Sequence, residues 1–138
     1  MKKLYFFLLA ICFVMFSCKT PENLLKDYVT IQMGKTISFS NSDISISFND
    51  VFDGRCPKSV CYLCYGSKAD ITITVSNGNG KEKIDLEVTG CMDESEGPNS
   101  YTVVALGYEF CLVKLSPYPD LDPIDKKNYI AKIKVTKL

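Results

Sequence analysis

Seven cysteines and no histidine decide which chemistry this chain of 138 residues can attempt. Cys56, Cys61 and Cys64 crowd into one short stretch, with Cys91 and Cys111 further along. In an oxidising compartment these five thiols form disulfides, at most two of them, with one cysteine left over. Cys56 is expected to bond Cys61 or Cys64 within its own loop, and a bridge between Cys91 and Cys111 would join strands. The spacing Cys56-x4-Cys61-x2-Cys64 with Cys91 beyond also copies plant-type [2Fe–2S] ferredoxins. Bulky residues between these cysteines argue against a cluster, as does export before maturation. Cys61-Tyr62-Leu63-Cys64 is a C-x-x-C, but a redox thiol of that kind needs a helix N-terminus to lower its pKa. Here the following segment runs into a strand. Without histidine no Ser-His-Asp or Cys-His pair can be assembled, nor a zinc site that uses histidine. Paired carboxylates could still cleave sugars, but no catalytic motif is present, and the expectation is a protein that is not an enzyme and carries no cofactor or metal.

The remaining cysteines, Cys12 and Cys18, belong to an N-terminal leader. Lys2 and Lys3 precede an unbroken apolar run from Leu4 to Phe16, which ends in Ser17 and Cys18. Such a run is too short to span a hydrocarbon layer of roughly 30 Å as a helix. A basic start, a short apolar stretch and a small residue at the cut mark a secretory signal peptide. Met15-Phe16-Ser17-Cys18 resembles the bacterial lipobox, which implies cleavage before Cys18 and acylation of that cysteine. The expected organisation is a lipoprotein signal peptide over 1–17, a lipidated N-terminus and tether over 18–27, and one domain over 28–138. Losing Lys2 and Lys3 takes 16 basic side chains to 14 against 16 acidic ones. A net charge near −2 with no basic run makes nucleic acid a poor partner.

The elements that must position the cysteine loop read as strands. Apolar residues alternate with polar ones through Val29–Met33, Ile44–Phe48, Ile71–Val75, Ile84–Val88 and Tyr129–Val135, the period of a half-buried strand. Thr102–Leu106 is continuously apolar after its threonine, which suits a strand covered on both sides. Tyr108–Leu115 puts Cys111, Val113 and Leu115 on one face and Phe110 and Leu112 on the other. Asn77-Gly78-Asn79-Gly80 and Gly97-Pro98-Asn99 punctuate the runs as turns, and the positive φ of a tight hairpin falls most easily on such residues. Seven or so short strands and no helical stripe predict an all-β, antiparallel two-sheet β-sandwich, immunoglobulin-like in the first instance, with a small barrel as the alternative.

Asp53-Gly54-Arg55-Cys56-Pro57-Lys58-Ser59-Val60, followed by Gly66 and an alternating strand, resembles a group of uncharacterised lipoproteins of Bacteroidetes. That group carries D-S-R-C-P-x-x-V-x-C-x-W-A-G at this place. Its second loop cysteine aligns with Tyr62 and its tryptophan with Cys64, so Cys61 or Cys64 replaces that cysteine. Leu115-Ser116-Pro117-Tyr118-Pro119 before the closing strand is similar to the group's C-terminal half. The resemblance implies a β-sandwich lipoprotein and no established activity.

Arg55 beside Asp53 favours a local ion pair, and Pro57 stiffens the loop through its fixed φ. Such a rigid loop either caps the core or meets a partner, with Arg55, Tyr62 and Tyr65 as its contact candidates; Tyr118 is a further exposed tyrosine. The acidic stretches Asp93, Glu94, Glu96 and Asp120, Asp122, Asp125 lack the EF-hand pattern and read as solvated turns. The expected protein is a membrane-anchored envelope lipoprotein with a binding or structural role. It would face the periplasm or the surface, the outer membrane favoured, with the membrane and another envelope protein or glycan as partners. The competing reading is a thiol or metal redox protein using Cys56, Cys61 and Cys64; a carboxylate hydrolase is the third.

Overall fold

Eight strands pair into two antiparallel four-stranded sheets, the all-β sandwich that the alternation predicts. The structure, a computed structural model, describes Leu25 and residues 27–64, 67–91 and 101–138. Cys18, Tyr65, the acidic residues Asp93, Glu94 and Glu96 and the Gly97-Pro98-Asn99 turn therefore lie outside the described residues. One sheet has the order β1-β8-β7-β6, formed by Tyr28–Gln32, Ile130–Lys137, Tyr108–Ser116 and Thr102–Ala105. The other is a meander of β2 (Thr36–Ser38), β3 (Ser45–Asp53), β4 (Lys68–Asn77) and β5 (Gly80–Thr89). The chain changes sheet only between β1 and β2 and between β5 and β6. That route is simpler than the Greek-key crossings of immunoglobulin domains.

Alternating residues do what a period of two requires. Val29 and Ile31, Ile46 and Phe48, Ile71, Ile73 and Val75, Leu86 and Val88, and Ala131, Ile133 and Val135 all turn inward and are buried. Phe48 and Phe110 are the largest of these side chains. Removing either ring would cost about 3–5 kcal/mol through lost transfer energy and the cavity left behind.

Several local expectations need correction. β2 was not anticipated; its three residues are too few to show a period, and it holds the sheet edge through pairing with β3. β6 is an edge strand bonded to β7 alone, and Val104 stands 56 % exposed, so β6 is not covered on both sides. In β7 the register slips between Leu112 and Lys114, leaving Val113 as the extra residue. This bulge returns Leu115 to the core with Tyr108, Phe110 and Leu112, while Cys111 and Val113 keep the outer face. A second bulge at Asn49 in β3 turns that amide over Thr74, whose hydroxyl donates to Asn49 Oδ1 at 2.7 Å.

The hairpin joining β4 to β5 closes through Gly78 and Asn79 as expected, with Asn77 opposite Gly80. Among the described residues, though, positive φ falls elsewhere: at Gly34, Cys91, Leu106 and Gly107. Leu106 (φ 49°) and Gly107 (φ 82°) form the primed two-residue turn between β6 and β7, both in the left-handed region that such a turn demands. A leucine there is costly, and its side chain packs against the core.

Candidate functional site

The two sheets end together at one pole, where β3, β5 and β7 stop and β4 and β8 begin. Asp53, the last residue of β3, and Arg55, two residues on, form an ion pair whose side chains are almost wholly enclosed (5 % and 4 % exposed). Arg55 Nε donates to Asp53 Oδ1 at 2.8 Å and Nη2 to Oδ2 at 2.6 Å, a forked pair. The Arg55 amide adds a third bond to Oδ1 at 3.1 Å, and the Tyr129 hydroxyl donates to Oδ2 at 2.9 Å. The rest of the guanidinium reaches the opposite sheet, donating to the carbonyls of Leu115 (2.9 Å) and Pro117 (3.1 Å). Those carbonyls flank the cis Ser116–Pro117 peptide. One arginine thus ties the end of β3 to the end of β7.

Charge and burial oppose each other here. Burial pushes the Asp53 carboxyl up, but hydrogen bonds from the Arg55 side chain and amide, the Arg55 charge and the Tyr129 hydroxyl outweigh it, and the pKa sits below the ordinary carboxylate value. Tyr129 moves the other way: burial first, then its bond to Asp53, push its hydroxyl up to about 12. Both groups are locked in the protonation states that the bond between them needs.

Outside this node the loop is closed twice. Cys56 bonds Cys64 and Cys61 bonds Cys91. The bridge within the loop is one of the two foreseen for Cys56. The bridge from Cys91 goes to Cys61 instead of Cys111, because Cys111 points outward from the middle of β7 while Cys91 follows β5 directly at the pole. Cys111 takes part in neither disulfide. Cys91 has φ 63°, a left-handed conformation held by its bridge and by its amide donating to the Tyr118 hydroxyl at 3.0 Å. Tyr118 is in turn covered by cations: the Arg55 guanidinium lies 4.6 Å from its ring centre and the Lys58 ammonium 5.5 Å. Gly90 is needed for closeness. A Cβ there would meet Arg55 Cγ at 2.9 Å and overlap the Ser67 hydroxyl. That hydroxyl accepts from the Cys56 amide at 3.2 Å, and the Ser67 carbonyl accepts from the Gly90 amide at 2.7 Å.

Of the contact candidates, Arg55 is buried and spends its donors inward, so it is structural. Tyr118 is half-buried and committed in the same way. Tyr62 differs: it stands 80 % exposed beside Leu63 at 69 %, on the 3-10 segment Lys58–Leu63, which buries none of its residues. Asp120 and Asp125 bond the amides of Leu121 and Lys127 (2.9 and 3.0 Å), the work of turn residues. Among the described residues no group of three or more His, Cys, Asp or Glu side chains is placed to hold a metal ion.

The N-terminal segment enters at the opposite pole. The Leu25 amide donates to Asn41 Oδ1 at 2.6 Å and the Asn41 side chain returns a bond to the Leu25 carbonyl at 3.1 Å. β1 then starts at Tyr28, opposite Lys134 near the end of β8. Strands of nine or ten residues separate the two poles, a distance of about 30 Å at roughly 3.4 Å per residue. The chain matches no protein-family model, no curated protein and no solved structure.

Proposed function

We propose that this protein is an exported, lipid-anchored envelope module that acts by contact and not by catalysis, offering the Lys58–Leu63 segment to a partner. The leader ending in Ser17-Cys18 and the resemblance of the Asp53–Gly66 loop to Bacteroidetes lipoproteins support the anchorage. One observation carries the contact role: Tyr62 and Leu63 are held outward on a segment closed at Cys56–Cys64 and Cys61–Cys91. Ordering a long side chain or loop costs affinity when it happens on binding, so a segment already fixed by cross-links gives up less. Its position at the pole away from Leu25 leaves it open when the N-terminus is tethered. The partner is another envelope protein or a glycan. The thiol redox reading gains little, since Cys61 and Cys64 each bond a different cysteine. A hydrolase gains little from Asp53, whose two oxygens are already taken by Arg55 and Tyr129.

A photo-crosslinking amino acid in place of Tyr62 tests this in intact cells. A discrete adduct at position 62, absent when the same group replaces Lys83 on the exposed face of β5, is the expected result. Equal or no adducts at both positions would remove the contact role.

A further inference from the structure

We infer that the outer face of the β1-β8-β7-β6 sheet docks on an anionic phospholipid surface, the bilayer to which the chain is tied. This rests on the anchored reading. Three lysines stand on that face: Lys132 and Lys134 of β8 and Lys114 of β7. Lys114 is the direct cross-strand partner of Lys132, and Lys134 follows two residues along on the same side. Like charges placed directly opposite one another in a sheet repel and cost stability. An anionic surface would turn that repulsion into attraction. Glu109 is the one carboxylate among the described outward residues of these four strands.

The opposite sheet has a different balance. Its outer face carries Asp50, Asp70, Asp85 and Glu87 with Lys68, Lys81 and Lys83, and Lys68 is engaged with Asp70 (3.4 Å) and Glu87 (2.5 Å). The two faces therefore differ in sign, and only one suits phosphate headgroups.

Position favours the same face. β1 is the edge strand of the lysine-bearing sheet, and Tyr28 at its start lies under the Lys132 ammonium, 4.9 Å from the ring centre. Cys18 is ten residues before Tyr28 in the sequence, a span of at most about 36 Å. An acylated Cys18 keeps these lysines within reach of the headgroups. Lying on this sheet, the sandwich holds its long axis along the bilayer, and the Lys58–Leu63 segment projects sideways from the far pole.

The mature protein, extracted with its lipid and reconstituted, is labelled with an amine-reactive reagent on vesicles of phosphatidylcholine alone and of phosphatidylcholine with phosphatidylglycerol. Labelling is read by peptide mapping. Lys114, Lys132 and Lys134 are expected to react at least about fivefold more slowly on the anionic vesicles, the factor equivalent to about 1 kcal/mol per lysine near such a surface. Lys81 and Lys83 should be unchanged, and high salt should abolish the difference. Acylated protein that floats with both vesicles and labels equally on them overturns the docking alone. Protection on neutral vesicles that deepens with protein density assigns the face to a second copy and also overturns it. Protein without an acyl mass on Cys18, left behind when the vesicles float, overturns the anchorage and the docking together.

Discussion

At the scale of single residues, the account turns on Asp53, Arg55 and Tyr129. The pair was legible from the adjacency of an aspartate and an arginine in one loop. Its destination was not, because nothing local shows that Arg55 would reach the carbonyls of Leu115 and Pro117 across the sandwich. Replacing Arg55 with alanine leaves an enclosed carboxylate without its counter-ion. Breaking a buried pair in this way costs about 3–5 kcal/mol, and a drop of that size in urea unfolding is the expected outcome. The pH dependence follows from the two shifts. Asp53 titrates lower in the folded state than its unpaired value of 3.8, so its contribution is complete above that value and fades as the pH falls below it. Tyr129 holds its proton more tightly when folded, so its contribution is complete below pH 10.0 and is lost as the pH climbs toward about 12. Tyr129→Phe should therefore be less stable at neutral pH by about 1–2 kcal/mol. It should also lose less stability than the parent between pH 10 and 12, which thermal unfolding across that range would read.

Among the elements, the strands with a clean period of two were readable, since burying one face of a sheet imposes that pattern on the sequence. Where a bulge intervened the reading failed: Leu115 was assigned to the face of Cys111, and the extra residue Val113 reversed it. Such slips depend on pairing with the neighbouring strand, which one segment cannot show. The turn at Leu106-Gly107 was missed for a related reason, as leucine is a rare choice at positive φ. Gly107 has open space around its Cα, so Gly107→Ala should cost only the backbone term, about 1–2 kcal/mol, visible as a lowered denaturation midpoint with an unchanged slope. The loop's two cross-links differ in the length of chain they close, eight residues for Cys56–Cys64 and thirty for Cys61–Cys91. By loop-closure entropy the longer one contributes about 1 kcal/mol more. The double variant Cys61→Ser/Cys91→Ser should therefore unfold at lower denaturant than Cys56→Ser/Cys64→Ser.

For the whole molecule, the arrangement separates three roles in space. The core lies between the sheets, the N-terminal segment enters beside Asn41, and the doubly bridged loop occupies the far pole. The two bridges could be narrowed from spacing but not assigned, because Cys61, Cys64 and Cys91 meet only once β5 and the loop converge. Non-reducing peptide mapping of the protein extracted from its membrane tests the account most directly, with chymotryptic cuts after Tyr62 and Leu63 separating Cys61 from Cys64. The predicted result is an N-terminal peptide beginning at an acylated Cys18, with cystine links from Cys56 to Cys64 and from Cys61 to Cys91. An uncut leader on a chain with reduced cysteines, or a cystine joining Cys61 to Cys64, would contradict it.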